Sequence, residues 1–266
     1  VEIPLPPASV EVLAPDLPRG RFRVAVFDFD GTVSLLREGW ARVMADMGVE
    51  LLDDPAAFAF LELEMLMLSG KPSIFQMDRL RAIAEERGKP SPAAADLLVE
   101  FNRRLSTLTD DRRNSLASGT EPPEAWAVAG THDLLTNLRD RGVTLVLASG
   151  TPIEAVREES ALLKISGFFG DRVFAPDGLS GDFSKRAVIE NLGVSGDELI
   201  GFGDGYAETV EIKRAGGVAV GLATVEAGRG GLNPVKRRML MDLGADVIAP
   251  HYEPAGELAD WLFGND

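Results

Sequence analysis

Short apolar runs recur along the chain, the first three of them ended abruptly by acidic, glycine or hydroxyl residues. They fall at residues 21–28 (RFRVAVFD), 143–149 (VTLVLAS), 198–203 (ELIGFG), 217–221 (GVAVG) and 245–249 (ADVIA). Continuous runs of this kind suit strands buried on both faces of a parallel sheet. Helical periodicity separates them at 131–141, 152–163, 184–192, 206–215, 234–243 and 254–263. Strand and helix alternate, which predicts a doubly wound α/β domain. In such a sheet, active groups gather beyond the carboxyl ends of the strands, where the polar residues ending these runs fall.

Residues 35–127 break the rhythm. The stretches 35–48, 55–69, 73–88 and 92–116 carry helical patterns punctuated by Gly or Pro, with no strand pattern between them. The run 61–68 (LELEMLML) reads as the core of this segment, although a methionine-rich face also suits an adaptable protein contact. The first twenty residues hold five prolines and read as an extended lead-in lying against the surface. The expected organisation is a sheet domain of residues 1–34 plus 128–266, with an all-helical domain, residues 35–127, inserted after the first strand.

Composition narrows the chemistry. The 266 residues carry 27 basic and 42 acidic side chains, a formal charge of −15. A nucleic-acid partner needs a basic face, so none is expected. An anionic substrate would need a local reversal of the field. The chain has no cysteine and only two histidines, His132 and His251, which excludes disulfides, thiolate chemistry and multi-histidine metal sites. No run approaches a membrane span and the start lacks the pattern of a signal peptide, so no membrane partner and a cytoplasmic location are expected. Nothing in the sequence speaks to oligomeric state.

Carboxylates, hydroxyls, lysines and a hard metal ion remain. In FDFDGT (27–32), Asp28 and Asp30 follow a strand, and a sharp turn at Gly31 would let both converge on one point. One carboxylate can attack phosphorus while the other protonates the leaving oxygen and then deprotonates water. The alternative is a turn whose acids cap a helix. In GFGDGYAE (201–208), Asp204 and Glu208 flank Gly205. Asp28, Asp204 and a backbone carbonyl near Asp30 make a hard oxygen set suited to Mg²⁺, and the alternative is a helix cap at Asp204. Ser149 and Thr151 add hydroxyl donors at a further strand end.

With FDFDGT, LASGT (147–151), a lysine at 185 in FSKRAV, and GFGDGYAE in this order, the chain resembles a haloacid dehalogenase superfamily hydrolase. The likeness covers nearly its whole length. It points to the phosphatase branch with a helical cap, where phosphoglycolate phosphatase and beta-phosphoglucomutase-like proteins belong. The resemblance implies that Asp28 is the nucleophile, forming an aspartyl-phosphate, and Asp30 the general acid and base. Ser149, Gly150, Thr151 and Lys185 would bind the phosphoryl group. Asp28, Asp30 and Asp204 would hold Mg²⁺, with Gly205 and Glu208 in support. The family usually carries aspartate where this chain has Glu208, a carboxylate able to act through a metal-bound water or to hold Lys185.

The implied activity is a Mg²⁺-dependent phosphomonoesterase acting on a small phosphorylated metabolite, a sugar or short acid phosphate. A phosphomutase, or a weakly catalytic binding protein, uses the same framework. The cap would supply specificity. Arg37 and Trp40 follow the catalytic turn, where they pair with substrate or else are solvated and core residues respectively. Lys71, Ser73 and Gln76 open another cap helix, whose N-terminus favours anions. Lys164 and His132 read as helix-end residues and His251 as a rim candidate. The basic stretch 228–238 reads as a surface loop with a solvated helix start, the alternative being a border of the site entrance.

Overall fold

The computed structural model describes residues 5–177, 183–194, 196–225 and 231–263. Strand β1 (Glu11–Val12) and strand β2 (Val24–Phe27) precede four helices. These are α1 (Trp40–Leu52), α2 (Phe58–Leu66), α3 (Ser73–Glu86) and α4 (Ala94–Ala117). Alternation then begins with α5 (Thr131–Asp140), β3 (Thr144–Ala148), α6 (Ile153–Leu162), α7 (Ser166–Phe169) and β4 (Val173–Phe174). It continues through α8 (Lys185–Glu190), β5 (Leu199–Gly203), α9 (Tyr206–Arg214) and β6 (Val218–Leu222). Helix α10 (Pro234–Asp242), β7 (Val247–Ala249) and α11 (Ala255–Phe263) complete the chain's described elements.

The seven strands form one sheet in the order β1-β7-β6-β5-β2-β3-β4, parallel except where β1 pairs antiparallel with β7. Period-2 geometry explains the fully apolar strands, because each face of the sheet is covered. Ala25 and Phe27 of β2 pack with Leu134 of α5 and Leu258 of α11. Val24 and Val26 point the other way, toward Ile189 of α8 and Ile212 of α9. The sheet differs from the sequence expectation at its two edges. The proline-rich lead-in contributes β1 instead of only lying on the surface, and β4 was not anticipated. Each has two residues, too short to leave a periodic signature.

Strand β2 sits where the strand order reverses. Phe27 registers with Leu147 of β3 on one side and with Phe202 of β5 on the other, and the two phenylalanine rings stack at 4.6 Å. Residues just past these three positions therefore emerge side by side at the carboxyl edge, as the switch-point rule requires.

Helices α1–α4 bury their own cluster, including Met44, Leu61, Met65, Met77, Leu80 and Phe101, separate from the sheet's cluster. The chain enters and leaves this segment through adjacent strands of backbone. The Leu35 amide donates to the Trp126 carbonyl at 2.8 Å, and the Val128 amide to the Val33 carbonyl at 3.3 Å. Helix α1 starts at Trp40, later than the expected 35, and runs to Leu52. The run 61–68 splits: Leu61 and Met65 are core, whereas Leu63 and Met67 are about half exposed. Among the described residues no helix is long and apolar enough to cross a membrane.

Candidate active site

The chain turns immediately after Phe27. The Asp28 amide donates to the Phe202 carbonyl at 2.9 Å, continuing the ladder by one residue. Gly31 then takes φ +73°, where a β-carbon would stand 2.8 Å from Asp204 Cγ. Only glycine allows this approach, which presses Asp204 against the Asp28–Asp30 turn. Neither acidic cluster caps a helix. The N-cap of α9 is Gly205 with no side-chain cap, and that of α1 is Gly39.

Asp28 and Glu208 meet on one lysine. Lys185, the first residue of α8, donates from Nζ to Asp28 Oδ1 at 2.6 Å and also to Glu208 Oε1. Ser184 caps α8, accepting the Ala187 amide, which places the lysine at the helix start. Burial pushes the Asp28 carboxyl above its ordinary range, against the pull of Lys185. Glu208 is buried, and its Oε2 has no hydrogen-bond partner among the described residues. Its stem lies against Gly203, where a β-carbon would come within 2.5 Å of Glu208 Cγ. The longer acid thus has its own space.

Asp30 points elsewhere. Its Oδ2 accepts the Thr151 hydroxyl at 2.7 Å, and its Oδ1 accepts from Arg37 at 3.3 Å. Ser149 is buried and accepts the Thr151 amide at 3.1 Å, so the 149–151 turn is tied to Asp30. Gly150 is exposed, with open space where a β-carbon would be.

Arg37 is not a solvated side chain but is held between two carboxylates, one of them Asp30. It donates to Asp30 and, at 2.5 Å, to Glu159 Oε2, whose side chain is completely buried in α6. Arg113 of α4 reaches Glu159 Oε1 from Nε at 3.0 Å. Burial raises the Glu159 carboxyl, opposed by Arg37 and then Arg113. Beside it, Arg112 donates to the Leu36 and Glu38 carbonyls at 2.8 Å each. Arg112, Arg113 and Glu159 had no marker in the sequence beyond being charged residues on helices.

The remaining candidates separate. Trp40 packs on the core of the helical segment. Gln76 is buried, donating to the Leu68 carbonyl at 3.1 Å, and its Oε1 has no partner among the described residues. Lys71 lies 5.6 Å over the Tyr206 ring, beside Gly205. His132 bonds the Leu163 carbonyl, tying α5 to the end of α6, and His251 accepts the Glu253 amide within its own turn. Lys164 is an exposed left-handed residue after α6. In the basic stretch 228–238, residues 228–230 lie outside the described residues. The expected solvated helix start is wrong at Lys236, which is 1% exposed and donates to Asp204 Oδ2 at 2.7 Å. Asn233 caps this helix by accepting the Val235 and Lys236 amides, and the turn swings the lysine inward.

Among the described residues, no three Asp, Glu or His side chains cluster as metal ligands. A divalent ion would instead rest on two carboxylates, Asp28 and Asp204, with the Asp30 carbonyl. The close approach of Asp204 to the Gly31 turn, and a Glu208 Oε2 with no hydrogen-bond partner among the described residues, suit a hard ion that keeps waters.

Comparison with known proteins adds to this picture. Among solved structures, a haloacid dehalogenase-like protein of unknown function from Agrobacterium tumefaciens superposes with TM-score 0.63 at 17% identity, covering 88% of this chain and 97% of its own. A HAD family hydrolase from Deinococcus radiodurans, with bound phosphate and sodium, gives 0.58 at 16% identity over 92% and 100%. A predicted phosphoglycolate phosphatase from Haemophilus somnus gives 0.60 at 15% identity over 90% and 98%. No curated protein sequence matches. The family description "haloacid dehalogenase-like hydrolase" matches residues 22–216, most of the chain, and the protein belongs to that family.

Proposed function

We propose that the protein is a Mg²⁺-dependent phosphomonoesterase that hydrolyses a small phosphorylated metabolite through an aspartyl-phosphate on Asp28. The observation that carries this reading is the division of labour between two carboxylates on one turn. Asp28 is buried on the Lys185 ammonium, whereas Asp30 is held apart by Thr151 and Arg37.

In the first step an Asp28 oxygen attacks phosphorus and the bond from phosphorus to the ester oxygen breaks. Asp30 delivers the proton that the leaving oxygen needs. In the second step Asp30 takes a proton from water, the water oxygen bonds to phosphorus, and the acyl-phosphate bond breaks to release inorganic phosphate and restore Asp28. Lys185 and the Ser149 hydroxyl hold phosphoryl oxygens, stabilising the charge that spreads over them in transit. Mg²⁺ on Asp28, Asp204 and the Asp30 carbonyl would supply further positive charge to that group. Glu208 keeps Lys185 aimed. The helical segment 35–127 acts as a cap, with its 69–70 turn against Gly205–Tyr206 excluding water from the carboxylates. The closeness of that contact favours a small sugar or acid phosphate, and the substrate class named for the Haemophilus protein fits it.

The test is inorganic phosphate release over a panel of sugar and short acid phosphates, with Mg²⁺ and then with a chelator. Release that stops on chelation and in Asp28→Asn is expected. Undiminished turnover in folded Asp28→Asn would overturn the assignment, and rearranged sugar phosphate without released phosphate would indicate a mutase.

A further inference from the structure

Lys236 is the buried cation that the proposed chemistry does not use. It lies in the first turn of α10 with its side chain 1% exposed, and its ammonium rests on Asp204 Oδ2 at 2.7 Å. A β-carbon on Gly31 would stand 3.3 Å from this Nζ and 2.8 Å from Asp204 Cγ. The ammonium therefore occupies the corner between the catalytic turn and Asp204, where a divalent ion would take its ligands. Burying an ammonium is costly unless a counter-charge meets it, and Asp204 does so here.

Resting on the metal corner proposed above, we propose that Lys236 is a resident cation of that corner. It neutralises Asp204 in the metal-free protein, must share that carboxylate with an incoming divalent ion, and so holds metal affinity down. Three carboxylates, Asp28, Asp204 and Glu208, face two ammoniums, Lys185 and Lys236. A divalent ion turns this excess of one negative charge into an excess of one positive charge. A phosphoryl dianion reverses it again, so metal and phosphate should bind with positive coupling.

The probe is Mn²⁺ alone, titrated calorimetrically into wild type, Lys236→Met, Lys236→Gln and Asp204→Asn, each checked by circular dichroism. Removing the charge is expected to tighten Mn²⁺ binding about tenfold in both neutral variants, since like charges sharing one carboxylate repel. Inorganic phosphate should tighten Mn²⁺ binding in wild type and do so less in the neutral variants. Unchanged or weaker Mn²⁺ binding in Lys236→Met and Lys236→Gln overturns the resident-cation role alone, and the lysine then only orients its ligand. Mn²⁺ binding that is insensitive to Asp204→Asn overturns the metal corner itself, and the proposal with it.

Discussion

Gly70 of the helical segment and Gly205 after β5 lie back to back. A β-carbon on Gly205 would come 2.6 Å from the Gly70 Cα, and one on Gly70 would come 2.8 Å from the Gly205 Cα. The Tyr206 amide donates to the Ser69 carbonyl at 3.3 Å across the same contact. Gly205 has an extended φ of −140°, which any residue adopts, so a methyl group there acts by bulk alone. Gly205→Ala should therefore part the two turns with little backbone strain. Overpacking of this kind costs about 1–3 kcal/mol. Thermal melting should show a loss of that size, and kinetics on a small phosphate ester should show a lower kcat/KM. Kinetics identical to wild type would mean that the seal plays no part in turnover.

Glu208 presents one oxygen to Lys185, and Gly203 makes room for its stem. A charge-assisted hydrogen bond is worth about 1.5–3 kcal/mol, so Glu208→Gln should slow phosphate release roughly 10- to 100-fold. Glu208→Asp keeps the charge but withdraws the carboxylate by one methylene. It should fall between wild type and Glu208→Gln in initial-rate assays. An aspartate variant faster than wild type would show that the longer side chain is a compromise here.

The carboxylate of Glu159 is buried between Arg37 and Arg113, joining α6 to α4 and to the turn that carries Asp30. Removing one member of a buried ionic cluster costs about 3–5 kcal/mol because uncompensated charge stays behind. Glu159→Gln should lower the melting temperature by roughly 10 °C. Calorimetry within about 2 °C of wild type would show the arginines re-paired with water.

Alkaline pH should find Tyr252. Its hydroxyl donates to the Thr32 carbonyl at 2.9 Å inside the core. Burial, and then the charges of Asp28 and Asp204, push its pKa well above 10.0. With the folded value above the unfolded one, the contribution to stability is complete below pH 10 and is lost as pH rises through the folded value. The protein has two tyrosines, so absorbance at 295 nm should show one of them ionising only with unfolding. Tyr252→Phe should remove that late step.

By itself the sequence determined the α/β alternation, the five longer strands and the approximate bounds of the helices after residue 130 other than the four-residue α7. Burial on both faces leaves continuous apolar runs, and these are local signals. It also marked the acids and hydroxyls at the strand ends, because residues beyond Phe27 and Phe202 emerge together wherever β2 and β5 pair in register. Two-residue β1 and β4 were too short to register. Tertiary structure alone decided which charges meet: Arg37 with Glu159 across 122 positions, Lys185 with Asp28 across 157, and Lys236 with Asp204 across 32. A lysine reads as solvated until the carboxylate that offsets its burial is known, and that partner is set by how helices dock on the sheet. The acidic chain thus sets two ammoniums, Lys185 and Lys236, among the carboxylates at the strand ends, a property of positions in space that net charge does not contain.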